Sequence, residues 1–294
     1  LNKRKIFWPV LLVLLIIISA GCSRSSNNLR NTDTEKAVLQ PDLGKQVKVH
    51  FIDVGQADSI LLQIPGGQNI LVDAGNNEDG PLVVEYLREQ GVQKIDYLVA
   101  THPHEDHIGG MDNVIKNFEI GKVFMPNIQT TTKTFEDVLL ALKAKDLKIT
   151  TAKAGVSVLE QDNLKMNFVA PNKNNYEDLN NWSAVMRVQY GDTAFLLTGD
   201  AEQLSEKEML AAGANLKADV LKIGHHGSNS STGKKFLNAV APEYAVISVG
   251  KDNDYGHPHK ETLARLTKAG IKIYRTDQSG TIVFTSDGKN ISVN

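Results

Sequence analysis

From Gln46 onward, apolar and polar positions follow two periods. Val47, Val49 and Phe51 alternate with polar residues, and Ser59–Ile64 and Asn69–Val72 are short apolar runs separated by Gly66-Gly67. This pattern predicts strands joined by tight turns. Leu82, Val83, Tyr86 and Leu87 share a helical face that Gly91 ends, and Tyr97–Thr101 reads as a buried strand. Phe135, Val138, Leu139 and Leu142 keep the helical period. Val185–Tyr190 and Thr193–Thr198 flank Gly191-Asp192, a hairpin signal. Later strands are predicted at Val220–Ile223, Tyr244–Val249, Ile271–Tyr274 and Thr281–Thr285, with helices over Thr232–Val240 and Glu261–Ala269. Strands with interspersed helices imply a layered α/β domain over residues 46–294, long enough to bury a real core. Periodicity alone does not choose among the α/β folds.

Upstream the texture differs. Lys3, Arg4 and Lys5 precede an apolar run from Ile6 to Ile18, broken only by Pro9, and Ser19-Ala20-Gly21-Cys22 follows. The run is shorter than the ~20 residues of a spanning helix, so residues 1–21 read as a signal peptide. Small residues before Cys22 resemble a bacterial lipobox, which implies lipid attachment at Cys22. Ser19 stands where such boxes usually carry Leu, and an uncleaved N-terminal anchor is the alternative. Residues 22–45, rich in Ser, Asn, Thr and Asp, read as the lipidated cysteine and a flexible tether. The expected location is the extracytoplasmic face of the cell membrane.

Composition narrows the chemistry. A chain of 294 residues, 41% hydrophobic and 22% charged, is neither disordered nor polytopic in a membrane. One cysteine excludes an intrachain disulfide and a cysteine-rich zinc module. Loss of residues 1–21 takes away three cations and no acid, moving the net charge from -2 to -5. An acidic body disfavours broad binding to a long polyanion and so counts against a processive nuclease.

Three of eight histidines fall within His102-Pro103-His104-Glu105-Asp106-His107, directly after the strand Tyr97–Thr101. Alternate positions on an extended segment point the same way, so His102 and His104 can meet one cation. The turn toward Gly109-Gly110 lets Asp106 and His107 face a second. Imidazole plus carboxylate suits zinc, manganese or iron. Two such ions ~3.5–4 Å apart would hold a bridging hydroxide as nucleophile.

His-x-His-x-Asp-His after a strand resembles the signature of the metallo-β-lactamase superfamily, a four-layer αββα sandwich of metallohydrolases. The resemblance implies two divalent ions, zinc or manganese, with His102, His104, Asp106, His107, Asp200 and His225 as ligands. It implies that Asp73 supports the metal loop and that Asp200, ending Phe195–Asp200, bridges both ions. A narrower resemblance is to the hydrolase domain of the competence DNA-uptake family ComEC. It rests on Asp53-Val54-Gly55-Gln56-Ala57-Asp58-Ser59, Asn181-Trp182-Ser183, Gly224-His225-His226-Gly227-Ser228 and Tyr255-Gly256-His257-Pro258-His259. That family usually has Gly where Ala57 stands, which is expected to tighten or displace the loop carrying Asp58. Its membrane channel domain has no counterpart in this sequence, so channel-coupled transport is not carried over.

Lactamases of the superfamily place a further histidine between the cluster and the bridging acid. No histidine lies between His107 and Asp200 here, and Asn181 and Ser183 occupy the region. The ion at His102 and His104 is therefore expected to bind zinc less tightly than the one at Asp106, His107 and His225. Either His225 or His226 can offer a ligand nitrogen, and the resemblance favours His225. His226, named with Asp106 as a catalytic group, can give a proton to a leaving oxygen or hold a substrate phosphate; the alternative is that it only satisfies a loop carbonyl. Asp58, Asp73, Asn181, Ser183, Ser228 and His257 are expected to support the ligands or touch substrate. His50 is expected to be structural, His259 a cap or surface residue, and Lys222, Lys234, Lys235 and Lys251 either solvated charges or attractors of an anionic substrate. The resemblance implies a membrane-anchored phosphodiesterase or nuclease, with single-stranded DNA as an anionic substrate. The alternatives are hydrolysis of a lactam, lactone or thioester, and a non-catalytic binding lipoprotein on the same fold.

Overall fold

A computed structural model describes residues 43–294; the expected signal peptide, Cys22 and tether positions 23–42 lie outside the described residues. The chain runs β1 (Val47–Phe51), β2 (Ile60–Gln63), β3 (Asn69–Val72), α1 (Gly80–Glu89), β4 (Lys94–Val99), α2 (Glu105–Ile108), α3 (Met111–Asn117), β5 (Glu119–Met125), α4 (Lys133–Ala144) and β6 (Ile149–Thr151). It continues through β7 (Ser157–Gln161), β8 (Leu164–Phe168), β9 (Met186–Tyr190), β10 (Thr193–Leu197), α5 (Gln203–Ala211), β11 (Val220–Lys222), α6 (Lys234–Val240) and β12 (Tyr244–Ile247). The last elements are α7 (Lys260–Lys268), β13 (Lys272–Arg275), α8 (Thr276–Ser279), β14 (Ile282–Ser286) and β15 (Ile291–Val293).

Two mixed sheets result, in the orders β15-β14-β1-β2-β3-β4-β5-β6 and β13-β12-β11-β10-β9-β8-β7. Alternation along each strand sends one set of side chains between the sheets and the other toward helices. Val47, Val49, Phe51, Ile60, Leu62, Ile70 and Val72 meet Met166, Phe168, Val188, Phe195 and Leu197 in the central core. On the outer face of the first sheet, Leu61, Leu71 and Leu98 pack against Val83, Leu87, Val114 and Val138 of the helices. On the second, Leu196, Leu221 and Ala245 pack against Met209, Phe236, Leu237 and Leu266. The layers are helix, sheet, sheet and helix, as the αββα expectation required. Among the described residues no helix is long and apolar enough to cross a membrane.

Two helix faces differ from the periodic reading. Leu82 is 45% exposed and Leu139 38% exposed, while Val84 and Ala141 are buried. Neighbours one step round a helix compete for the buried stripe, and the packed sheet decides between them.

Candidate metal centre

Parallel pairing creates the site. β3 runs parallel to β4 in one sheet and β10 parallel to β11 in the other, so each pair ends at a shared edge. Beyond those carboxyl ends lie Asp73 and the histidine run in one sheet, and Asp200 and His225-His226 in the other. Two glycines let the loops close on each other. A Cβ on Gly109 would sit 2.3 Å from the backbone of Asn76 and Asn77, and one on Gly110 2.3 Å from the Ala74 carbonyl. Any larger residue there would push the histidine run away from Asp73.

Asp73 then organises the run. Its Oδ1 accepts the Thr101 N–H at 2.8 Å and its Oδ2 accepts the Thr101 hydroxyl at 2.7 Å. His107 Nδ1 donates to the same Oδ2 at 2.8 Å. That bond leaves His107 Nε2 facing Asp200 Oδ1 at 3.3 Å and Asp106 Oδ2 at 3.5 Å. His226 is fixed in the same way: Nδ1 donates to the Ser248 carbonyl at 2.9 Å, and Nε2 points at Asp106 Oδ2, 3.1 Å away, and Asp200 Oδ2, 3.7 Å away. Donor atoms of Asp106, His107, Asp200 and His226 all lie within 4.8 Å of one another. Ligands ~2.0–2.2 Å from one ion are themselves ~3–4 Å apart, so this quartet fits a cation. His107 Nε2 and Asp200 Oδ1 are buried with no hydrogen-bond partner, a cost that a bound cation would remove. Asp58 and Asp73 also gather around His107, but on its Nδ1 side, where they orient the ring.

The other half of the run gathers around the second oxygen of Asp200. His102 Nδ1 donates to the Thr101 hydroxyl at 3.1 Å, which directs His102 Nε2 toward His104 Nδ1 at 3.0 Å and Asp200 Oδ2 at 4.0 Å. The last distance lies within what two ligands of one ion can span. Ser183 is buried behind this pair; its Oγ accepts the Asp200 N–H at 3.0 Å and lies 3.5 Å from His102 Nδ1. Asp200 thus shows one oxygen to His107 and the other to His102, as a bridging carboxylate would.

Comparison with known proteins agrees with this geometry. Residues 52–251 match the family model described as the metallo-beta-lactamase superfamily. The chain belongs to this superfamily. ComE operon protein 3 of Bacillus subtilis is 33% identical over 84% of the chain, and competence protein ComA of Neisseria gonorrhoeae 34% identical over 79%. The chain spans about a third of the length of these curated relatives, 34% and 31%. Among solved structures, the metallo-beta-lactamase fold protein YhfI of Bacillus subtilis superposes with a TM-score of 0.51 at 16% identity, covering 82% of this chain and 99% of its own. That likeness concerns the fold alone. The superfamily fold implies divalent ions, and the residues here fit them; the chain is a metal-dependent hydrolase of the metallo-beta-lactamase superfamily, with competence proteins among its relatives.

Within this superfamily site, the two adjacent histidines take different places, and the one whose donor atom groups with Asp106, His107 and Asp200 is His226 rather than His225. Both His225 and His226 have left-handed backbones, φ 50 and φ 49, which splays consecutive side chains apart. The buried His226 joins the quartet. His225 is half-buried, with Nε2 3.9 Å from Asp200 Oδ2 and Nδ1 3.4 Å from Glu202 and 3.3 Å from Ser230 Oγ. It lines a cavity of about 320 Å³ with His104, Asp106, Asp200, His226 and His257. Ser228 sits one step behind, its hydroxyl 2.9 Å from that of Ser230. Asn181 meets Glu202 and the Ser205 N–H rather than the ligands.

Charge in the site follows from burial working against pairing. Burial opposes ionisation of Asp200, but His107 and His226 win and hold it well below the usual carboxylate range. Burial likewise opposes the charge on Asp106, and His107 with His226 lowers it. For His107, burial favours the neutral ring, yet Asp200, Asp106 and Asp73 hold it well above the ordinary value. His102 is driven the other way, by burial and then by the charge of His107, so it stays neutral. His257 is lowered to about 4 by burial and then by His225 and His226.

Several side chains have roles that local pattern did not show. Lys222 is fully buried, not solvated, and cannot meet a substrate; its ammonium pairs with Asp58 at 3.0 Å. Thr101 and Glu202 carry no local signal of their roles, since a threonine ending a strand and an acid opening a helix are common. The Ala57 methyl is buried in the core, and the Asp58 N–H bonds the Asp106 carbonyl at 3.0 Å. His259 accepts the Asn229 N–H at 2.9 Å at the start of α7, and His50 bonds the Tyr86 hydroxyl at 2.8 Å, both structural.

Proposed function

We propose that the chain hydrolyses phosphodiester bonds, with single-stranded DNA as its substrate class, at the extracytoplasmic face of the membrane. The observation that carries this reading is Ser183, which fills the place behind His102 and Asp200 in a stretch where the superfamily's lactamases supply a further histidine. The centre has one nitrogen ligand fewer than a zinc lactamase site, which moves its preference toward manganese or magnesium. Competence proteins among the relatives point to the same substrate. The basic residues, apolar run and Cys22 of the N-terminal sequence support tethering by a lipid.

Bound divalent ions would supply a water of lowered pKa and neutralise charge growing on the phosphoryl oxygens. His102, His104, Asp106, His107, Asp200 and His226 would hold them. The chain's own residues do the rest. Asp73 and Ser248 fix the tautomers of His107 and His226, so that both Nε2 atoms face the carboxylates. His225 lines the cavity with its Nδ1 against Glu202, in place to give a proton from Nε2 to the leaving oxygen. That is the task the sequence assigned to His226.

The test is a grid of zinc, manganese and magnesium against bis(4-nitrophenyl) phosphate, single-stranded DNA and nitrocefin, using the full chain and Asp200→Asn. Manganese- or magnesium-dependent diester cleavage that vanishes in Asp200→Asn is expected. Silence on both diesters with every metal, or faster turnover of nitrocefin, would overturn the reading.

A further inference from the structure

Beside the metal cluster, three rings step outward from the interior. His226 stacks on His257 at 6.4 Å between centroids and 20° between planes, and His257 stacks on Tyr255 at 5.7 Å and 21°. The outermost ring is 68% exposed, which makes Tyr255 the most exposed large apolar side chain among the described residues. It lines the same cavity as His226.

The loop holding this ring is built rigidly. Asn253 Nδ2 donates to the Gly250 carbonyl at 2.9 Å and the His257 carbonyl at 2.7 Å, and its Oδ1 accepts the His257 N–H at 3.0 Å. Gln56 adds a second tie, accepting the Gly250 N–H at 3.0 Å and lying 3.4 Å from His257 Nδ1. The bare backbone of Gly227 lets Pro258 seat against the His226 loop; a Cβ there would lie 2.5 Å from Pro258 Cβ. An exposed ring on an immobilised loop loses little entropy when something stacks on it. Positive charge is not what this loop offers, because exposed Lys251 is outweighed by exposed Asp252 and Asp254.

We propose that Tyr255, backed by His257, is a stacking subsite for a nucleobase next to the phosphodiester held at the metal centre. This rests on the phosphodiesterase reading. Every base has a flat π face, so such a platform grips single-stranded nucleic acid without choosing its sequence. A base paired in a duplex has no free face to offer.

The test measures binding separately from cleavage. Fluorescence anisotropy on the full, metal-loaded chain would compare a labelled phosphorothioate oligothymidylate with an abasic phosphorothioate strand of equal length, both chosen to resist cleavage. Loss of one base–aromatic stack corresponds to roughly 5- to 150-fold in affinity. Wild type should prefer the base-bearing strand by a factor in that range, and the preference should hold when salt is raised, since phosphate contacts cancel in the ratio. Tyr255→Ala and Tyr255→Leu should abolish the preference while leaving abasic affinity unchanged; Tyr255→Phe should keep it. Equal binding of the two strands by wild type, binding of neither, or an Ala variant that weakens both alike would overturn the proposal. Failure of diester cleavage in the metal grid would refute the phosphodiesterase reading alone, because the anisotropy ratio is read without turnover.

Discussion

Replacing Lys222 by Met removes one charge from beneath the metal centre and leaves its partner behind. Lys222 and Asp58 have side chains 0% and 1% exposed, and they meet at 3.0 Å. Breaking a buried ion pair from one side costs about 3–5 kcal/mol, since the remaining charge stays out of water uncompensated. Two neighbours soften the loss: His226 Nδ1 is 3.6 Å from Asp58 Oδ1, and His107 Nδ1 is 4.0 Å from Oδ2. The lower end, about 3 kcal/mol, is therefore expected. For a domain of this size that is a fall in Tm of roughly 6–12 °C. Thermal unfolding followed by circular dichroism, with chelator present to keep metal binding out of the balance, measures it. Asp58→Asn combined with Lys222→Met removes both charges and should recover at least half of the loss. A single variant within about 1 kcal/mol of wild type, or a double variant no more stable than the single, would refute the reasoning. A lysine that served only to attract substrate would instead raise KM and leave Tm alone.

Three further outcomes are expected. Asp73→Asn, which loses the acceptor that orients His107, should weaken divalent metal binding by roughly 10- to 100-fold in calorimetry, and unchanged affinity would contradict that role. His226→Ala should lower bound metal in elemental analysis, whereas His225→Ala should keep the metal and slow turnover; the reverse pattern would exchange their roles. Glu206 supplies a pH dependence. Burial raises its carboxyl to about 7 from 4.5, against the Gly233 and Thr232 N–H groups that favour the charge. The folded chain thus keeps a proton that the unfolded chain releases between those values, so stability falls as pH rises through that window and levels off above it. At about 1.4 kcal/mol for each tenfold change in proton affinity, the fall is roughly 3 kcal/mol. Glu206→Gln should flatten it, and parallel Tm–pH curves for the two proteins would rule it out.

What local pattern could show, it showed. β1, β2, β3, the β9–β10 hairpin, β11, β12, β13 and β14 stand where alternation, short apolar runs and turn residues placed them, because these signals are written in successive residues. The histidine run was legible because its ligands are near neighbours in the chain. Elements with weak or broken contrast were not legible. β6 is an edge strand exposed along its whole length, and α5 buries only Ser205, Glu206 and Met209. Neither carries a periodic signal. By itself, then, the order of residues determined a layered α/β fold, the supply of nitrogen and oxygen ligands, and the missing further histidine. Only the tertiary structure decided which of two adjacent histidines turns inward, that Asp73 and Thr101 aim the ring nitrogens, and that Lys222 is sealed against Asp58. Residue type and period are properties of neighbouring positions. Burial and charge pairing come from segments far apart in the chain, which meet only when the two sheets pack.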